Sequence, residues 1–294
     1  MEHTNLHWPQ KHGNLHPIQC SVTSHEDLQA AVDHITNADG YINLLVNNAG
    51  ISTPNLGSTV TRPTPKWTLP RLREYWFNRS FADYGAVMET NTIAHFIVPF
   101  AFLELLDQGN RIREREAAEL ERVREAEAKL AATGVNGMNA TNGTSLKRKL
   151  EMRNYVSSQI VTTSSIGGFG RDNAAFIYNA SKAATTHMMK QLATYLIPWG
   201  IRSNVICPGC KSPLLSSSHY RRLVWLTEMT EDMARGVSLA GTEVPISLIP
   251  EQRFGTEHEM GGTITYLASP AGGYCNGLVM VIDGGYLSNH FGSY

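Results

Sequence analysis

Short apolar runs alternate with helical patterns along most of this chain, and that alternation limits its fold more than any other feature. "INLLVNNAG" (42–50), "QIVTTSS" (159–165), "IRSNVIC" (201–207) and "GLVMVIDGG" (277–285) read as strands rich in apolar and β-branched residues. Helical patterns at 25–36, about 74–106, 176–197 and 257–268 alternate with them. Strands that lack polar alternation are buried on both faces, and strands separated by helices pair in parallel. The expected class is therefore α/β, a doubly wound parallel sheet. A further short strand is expected at "PIQCSV" (17–22), and Ser24 and Asp27 stand at the spacing of a capping box before helix 25–36. The pattern over 74–106 predicts a helix with Ile93, Phe96, Ile97, Phe100 and Leu103 on one side.

Other segments read as attachments to a single domain over 1–294. The His-dotted N-terminus (1–16) is expected to be mobile. Pro54, Pro63, Pro65 and Pro70 exclude regular structure from the loop after residue 50. An insertion at 108–150 begins with "RIREREAAELERVREAEAK" (111–129), whose charges pair at helical spacing, as in Arg115–Glu119 and Glu125–Lys129. It reads as an exposed helix followed by a flexible tether at 134–145. A substrate lid is expected at 210–255, where Leu214, Leu215, Leu223, Val224, Trp225 and Leu226 suit an apolar small molecule or pack the lid onto the body.

Composition excludes several functions. A net charge of −1 and a pI near 6.8 provide no field to recruit nucleic acid or an anionic membrane. No run of about eighteen apolar residues occurs, and the N-terminus has no signal-peptide core, so no membrane role and a cytoplasmic location are expected. Cys20, Cys207, Cys210 and Cys275 form no secreted-type framework. "CPGC" (207–210) ends a strand pattern and has no second cysteine pair, and the N-terminal histidines lack a fixed spacing; no metal site is expected.

One constellation carries chemistry. Ser165 closes a strand thirteen residues before Tyr178, and Lys182 follows Tyr178 by one helical turn. In a doubly wound sheet the carboxyl ends of strands line the ligand crevice, so the three side chains converge there. A free phenol titrates near ~10, and a nearby ammonium favours the phenolate, bringing it toward neutral acid–base work. A serine hydroxyl beside them orients a substrate oxygen or shares its developing charge.

With these residues "NNAG" (47–50), "METN" ending at Asn91, "YNASK" (178–182), "NVICPG" (204–209) and "VIDGG" (281–285) share an order and spacing. Over residues 17–285 the chain resembles the short-chain dehydrogenase/reductase family, and its charged insertion and 252–277 segment resemble the branch of filamentous fungi that acts on secondary metabolites. The resemblance implies a Rossmann-like fold and a catalytic tetrad: Tyr178 as general acid–base, Lys182 as its activator, Ser165 on the substrate oxygen and Asn91 holding a relay water. It further implies an NADP or NAD cofactor held by Asn48, Ala49, Gly50, Tyr178, Lys182, Pro208 and Gly209, and a homodimer or homotetramer.

The family's G-x-x-x-G-x-G turn, which lays a pyrophosphate on a helix N-terminus, has no counterpart among the 25 glycines. The expectation is a fold lacking its first β-α-β unit, with Ser21 where the third strand normally ends in aspartate and Lys211 in place of an apolar residue. Either 17–22 pairs with 42–48 in the vacated slot, or a second chain covers that edge. Three functions stay open from sequence. The first is an oxidoreductase on an apolar carbonyl or hydroxyl compound. The second is a cofactor-free isomerase, dehydratase, cyclase or lyase using the same Tyr/Lys pair. The third is a non-catalytic partner of an intact homologue.

Overall fold

The computed structural model describes residues 14–51, 67–132, 156–171, 175–209, 244, 246–290 and 292. Within them four strands form one sheet: β1 (Leu44–Asn47), β2 (Gln159–Thr163), β3 (Arg202–Pro208) and β4 (Val279–Ile282). They lie in the order β1-β2-β3-β4 and every pair is parallel, with Leu44 opposite Gln159, Gln159 opposite Arg202 and Val205 opposite Val279. The expected class is observed. Each strand is separated from the next by helix: α1 (His25–Ala38) precedes β1, and α2 (Leu69–Phe77), α3 (Phe81–Met88), α4 (Ala94–Ala101) and α5 (Leu103–Ala132) precede β2. After these come α6 (Phe176–Tyr195), α7 (Glu257–Ala268) and the short α8 (Tyr286–Asn289).

Alternation along the strands divides the core in two. Ile160 and Val205 face Met189, Leu192 and Leu196 of α6 and Leu106 of α5, while Val161 and Ile206 face Leu267, Met260 and Ile264 of α7. A third cluster joins Leu28 and Ala31 of α1 to Val98, Phe102 and Leu105. One buried polar group at the sheet's base, Arg202, is tied by four hydrogen bonds. Arg202 donates from Nη1 to the Gly272 and Cys275 carbonyls at 3.0 and 2.8 Å, from Nη2 to the Ser157 carbonyl at 3.1 Å and from Nε to Ser157 Oγ at 2.9 Å. Arg202→Ala leaves the Gly272 and Ser157 carbonyls without this donor, while Cys275 keeps Asn204 Nδ2, so a loss of about 2 kcal/mol is expected in urea denaturation.

Several expectations at the front of the chain are corrected. Residues 17–22 are not a strand, and among the described residues β1 pairs with β2 alone. Pro17 has no N–H to give a ladder, and the segment is instead wound onto α1. Ser21 N–H donates to the Asp27 carboxylate at 2.8 Å, Ser24 N–H donates to the Ser21 carbonyl at 3.1 Å, and Cys20 and Val22 pack beside Leu28. The sliding strand is thereby overturned; β1 is an outer strand and Val46 is 41% exposed. The capping box is half made. Ser24 Oγ accepts from Asp27 N–H at 3.1 Å, but the Asp27 carboxylate serves Ser21.

The helix expected over 74–106 is broken into pieces. Ser80 caps α3, Phe102 interrupts the chain after Pro99, and Pro70, expected in a loop, sits in the first turn of α2, where its absent N–H costs nothing. The expected apolar face is also displaced. Ile93, Phe96 and Phe100 are 55%, 41% and 37% exposed, whereas Ala94, His95 and Val98 are buried. Phe96 and Phe100 instead meet each other at a tilt of 59°, ring centres 4.9 Å apart. The charged helix is present as the exposed second half of α5, while the tether, the N-terminal tract 1–13 and most of the lid (210–243) lie outside the described residues.

Candidate active site

Asn91 lies in a single π-helical turn, Glu89–Ile93, between α3 and α4. Such turns widen a helix locally and cluster at functional sites. Its side chain is saturated: Nδ2 donates to the Ile51 carbonyl at 2.8 Å and to Ser181 Oγ at 3.2 Å, and Oδ1 accepts from Ile51 N–H at 2.8 Å. The Asn91 carbonyl accepts from Thr185 Oγ1 at 2.5 Å. Asn91 thus clamps the "NNAG" turn to α6. A Cβ on Gly50 would stand 3.2 Å from Asn91 Oδ1 and 3.4 Å from Lys182 Nζ, so a side chain there would crowd the Asn91 amide.

Lys182 is buried, and its ammonium donates to the Thr163 carbonyl at the end of β2, 3.1 Å away. Burial pulls its pKa from 10.5 down to about 8, with the neighbouring Cys207 opposing slightly. Lys182 Nζ lies 5.9 Å from the centre of the Tyr178 ring. Burial raises the Tyr178 phenol above its ordinary value, and a hydrogen bond with the Ser165 hydroxyl opposes part of the rise. Ser165 Oγ also accepts from Gly167 N–H at 3.1 Å, which fixes the hydroxyl at the opening of the 3₁₀ turn Ile166–Gly168. Ser165, Tyr178, Lys182 and Asn91 are therefore brought together. In this resting arrangement the phenol keeps its proton at neutral pH, a difference from the depressed value expected from the Tyr/Lys spacing. Desolvation outweighs a cation at this distance.

Of the expected cofactor residues, Asn48, Pro208 and Gly209 line a cavity that also reaches Thr163, whereas Ala49, Gly50, Tyr178 and Lys182 do not line it. This cavity, of about 910 Å³, opens at the carboxyl ends of the strands, lined by Asn48, Thr163, Pro208, Gly209, Met260 and Asp283 among others. Gly209 is required there because a Cβ would collide with Asp283. Asp283 in turn caps α8 by accepting from Gly285 N–H and Leu287 N–H, both at 2.9 Å, with Gly284 and Gly285 at φ of 62° and 85°. Arg253 at the rim is engaged with Glu259 at 2.7 Å. The arrangement suits the ribose and ring end of a nicotinamide nucleotide: a buried cation, a phenol and two glycines that admit close approach.

Sequence reasoning overlooked His95, which is 1% exposed and stands four residues after Asn91 on α4. A lone imidazole within the apolar run "IAHFIVPF" was the available signal.

This sheet order, with tyrosine and lysine one turn apart at the strand ends, defines a dehydrogenase-type α/β protein, and comparison makes the class specific. Residues 2–112 match the profile described as short chain dehydrogenase, and residues 116–287 match that described as enoyl-(acyl carrier protein) reductase. The chain belongs to the short-chain dehydrogenase/reductase family. It is 56% identical to the short-chain dehydrogenase/reductase VdtF of Byssochlamys spectabilis over 96% of this chain and 80% of that protein. Identity to SAT3 of Stachybotrys chartarum is 37%, over 94% and 86%. Among solved structures, a Pseudomonas aeruginosa RhlG/NADP active-site complex superposes with a TM-score of 0.57 at 21% identity, covering 91% of this chain and 75% of that one. A gluconate 5-dehydrogenase from Burkholderia cenocepacia, in complex with NADP and tartrate, gives 0.52 at 20% identity over 91% and 73%. These likenesses establish the fold. The first profile is matched from residue 2 onward, which gives the expectation of a lost cofactor loop no support. Among the described residues no single helix is long and apolar enough to cross a membrane.

Proposed function

We propose that this chain is an NADP- or NAD-dependent oxidoreductase that interconverts a carbonyl and a hydroxyl group on an apolar small molecule, with Tyr178 as its general acid–base. The observation that carries the reading is the meeting of Ser165, Tyr178 and Lys182 beside the strand-end cavity. Tyr178 and Lys182 would hold the nicotinamide ribose, and Asn48, Ala49, Gly50, Pro208 and Gly209 would complete the cofactor's binding surface. The bound cofactor supplies or accepts the hydride. Ser165 orients the substrate oxygen. The raised phenol suits reduction, in which Tyr178 Oη–H delivers its proton to the oxygen as the C–H bond forms. Lys182 stabilises the phenolate left behind. The RhlG/NADP complex and the gluconate 5-dehydrogenase complex with NADP share this fold, which supports this cofactor class. Turnover of apolar ketones with NADPH or NADH, followed by cofactor absorbance, tests the reading. Catalysis on the same panel without either nucleotide would overturn it.

We further propose a homodimer built on the exposed stripe of α4. Ile93, Phe96 and Phe100 form an apolar surface that a second copy can bury. Sedimentation should show a dimer, and Phe96→Glu with Phe100→Glu should yield a monomer; an unchanged dimer would place the contact elsewhere.

A further inference from the structure

Helix α2 places an unusual set of side chains in water. Its nine residues, Leu69–Phe77, read LPRLREYWF, and none of them is buried. Leu69 and Phe77, which share a helix face with Arg73 by their spacing of four, are 80% and 70% exposed. Phe81, at the start of α3, is 93% exposed. The rings gather on this surface instead of entering the core. Trp67 meets Tyr75 edge-on at 5.4 Å, Tyr75 meets Trp76 at 5.1 Å, and Trp76 meets the exposed Phe176 at 5.2 Å. Three arginines lie over ring faces: Arg71 over Trp67 at 4.6 Å, Arg73 over Phe77 at 4.4 Å and Arg79 over Tyr75 at 4.5 Å. Exposed apolar side chains gathered in this way mark an interaction surface.

Charge decides what the surface meets. From Gly40 to Arg73 the chain has no Asp or Glu, while Arg62, Lys66, Arg71 and Arg73 fall within that span. The whole-chain charge of −1 hides this local surplus. The apolar stripe of α4, assigned above to a second copy, is the opposite case, since no Lys or Arg stands between Arg79 and Arg111. Aromatic and aliphatic side chains interleaved with arginine suit the boundary between lipid headgroups and acyl chains. A guanidinium resting on a ring has a long stem and a planar fork. It can leave the ring for a lipid phosphate as the ring enters the apolar layer.

We propose that α2 and the start of α3 form a docking surface for an anionic lipid bilayer. Leu69, Phe77 and Phe81 enter the interfacial layer, and Arg71 and Arg73 hold lipid phosphate. Adsorption is read without turnover, so this surface stands or falls apart from the redox reading.

Flotation with vesicles of phosphatidylcholine, with and without phosphatidylserine, tests the surface on the intact chain. The chain should bind the phosphatidylserine vesicles roughly tenfold or more tightly than phosphatidylcholine alone, and raising the salt should release it. Phe77→Glu with Phe81→Glu should weaken that binding by about tenfold or more, because both rings leave the apolar layer. Arg71→Glu with Arg73→Glu should abolish the preference for phosphatidylserine. All four side chains are exposed, so both variants should keep the parent's thermal unfolding midpoint. Should one pair not fold, the other decides. No flotation, equal binding to the two kinds of vesicle, or binding unchanged in the folded variants would overturn the proposal. A parent dimer that becomes a monomer in Phe77→Glu with Phe81→Glu would overturn it as well, assigning the surface to a second copy.

Discussion

Tyr178→Phe is expected to lower turnover by roughly 10²–10⁴-fold while leaving the unfolding midpoint within about 1 kcal/mol of the parent. In the proposed reaction the phenol oxygen gives a proton to the substrate oxygen. Its partner is the Ser165 hydroxyl, which Gly167 N–H holds in place. Phenylalanine fills the same space and loses only the hydroxyl. Ser165 keeps its bond from Gly167, so no buried group is stranded. KM should change little, because Lys182 and the strand-end cavity remain. Steady-state kinetics on the variant check this; undiminished kcat would remove Tyr178 from the chemistry.

Lys182→Met is expected to separate stability from activity. The folded pKa, about 8, lies below the ordinary 10.5, so burial penalises the ammonium. That penalty is fully present below about pH 8 and fades as pH rises toward 10.5, where both states become neutral. A shift of this size corresponds to about 3 kcal/mol at neutral pH, reduced in the variant by the lost bond to Thr163. Lys182→Met should therefore be more stable by about 1–2 kcal/mol in urea at neutral pH, and the gap should close as pH rises. Turnover should fall about as far as in Tyr178→Phe, since the phenolate loses its cation. In the parent, kcat should decline as pH rises past about 8, where the ammonium loses its proton. A variant less stable than the parent at every pH would show that Lys182 is a structural strut.

The sheet, α6 and the meeting of Ser165, Tyr178 and Lys182 were legible because their signals are local. Apolar strands read directly, and Tyr178 and Lys182 share a helix face by spacing alone. What failed depended on partners distant in sequence. "PIQCSV" has strand composition, yet Asp27 and the α1 surface claim it first. Ile93, Phe96 and Phe100 read as a core face because periodicity reports apolar sides and not which side meets the body. The phenol's raised pKa was hidden for the same reason: spacing places the lysine near Tyr178, while desolvation belongs to the assembled site. His95 was invisible to motif reading because its oddity is the absence of partners for its ring.

The most direct test of the central claim is calorimetric titration of NADPH and NADH into the purified chain and into Lys182→Met. The account predicts saturable binding of at least one nucleotide in the micromolar range, weakened at least tenfold in Lys182→Met and less in Tyr178→Phe, which loses one neutral hydroxyl contact, at neutral pH. No binding of either nucleotide at millimolar concentration would contradict it.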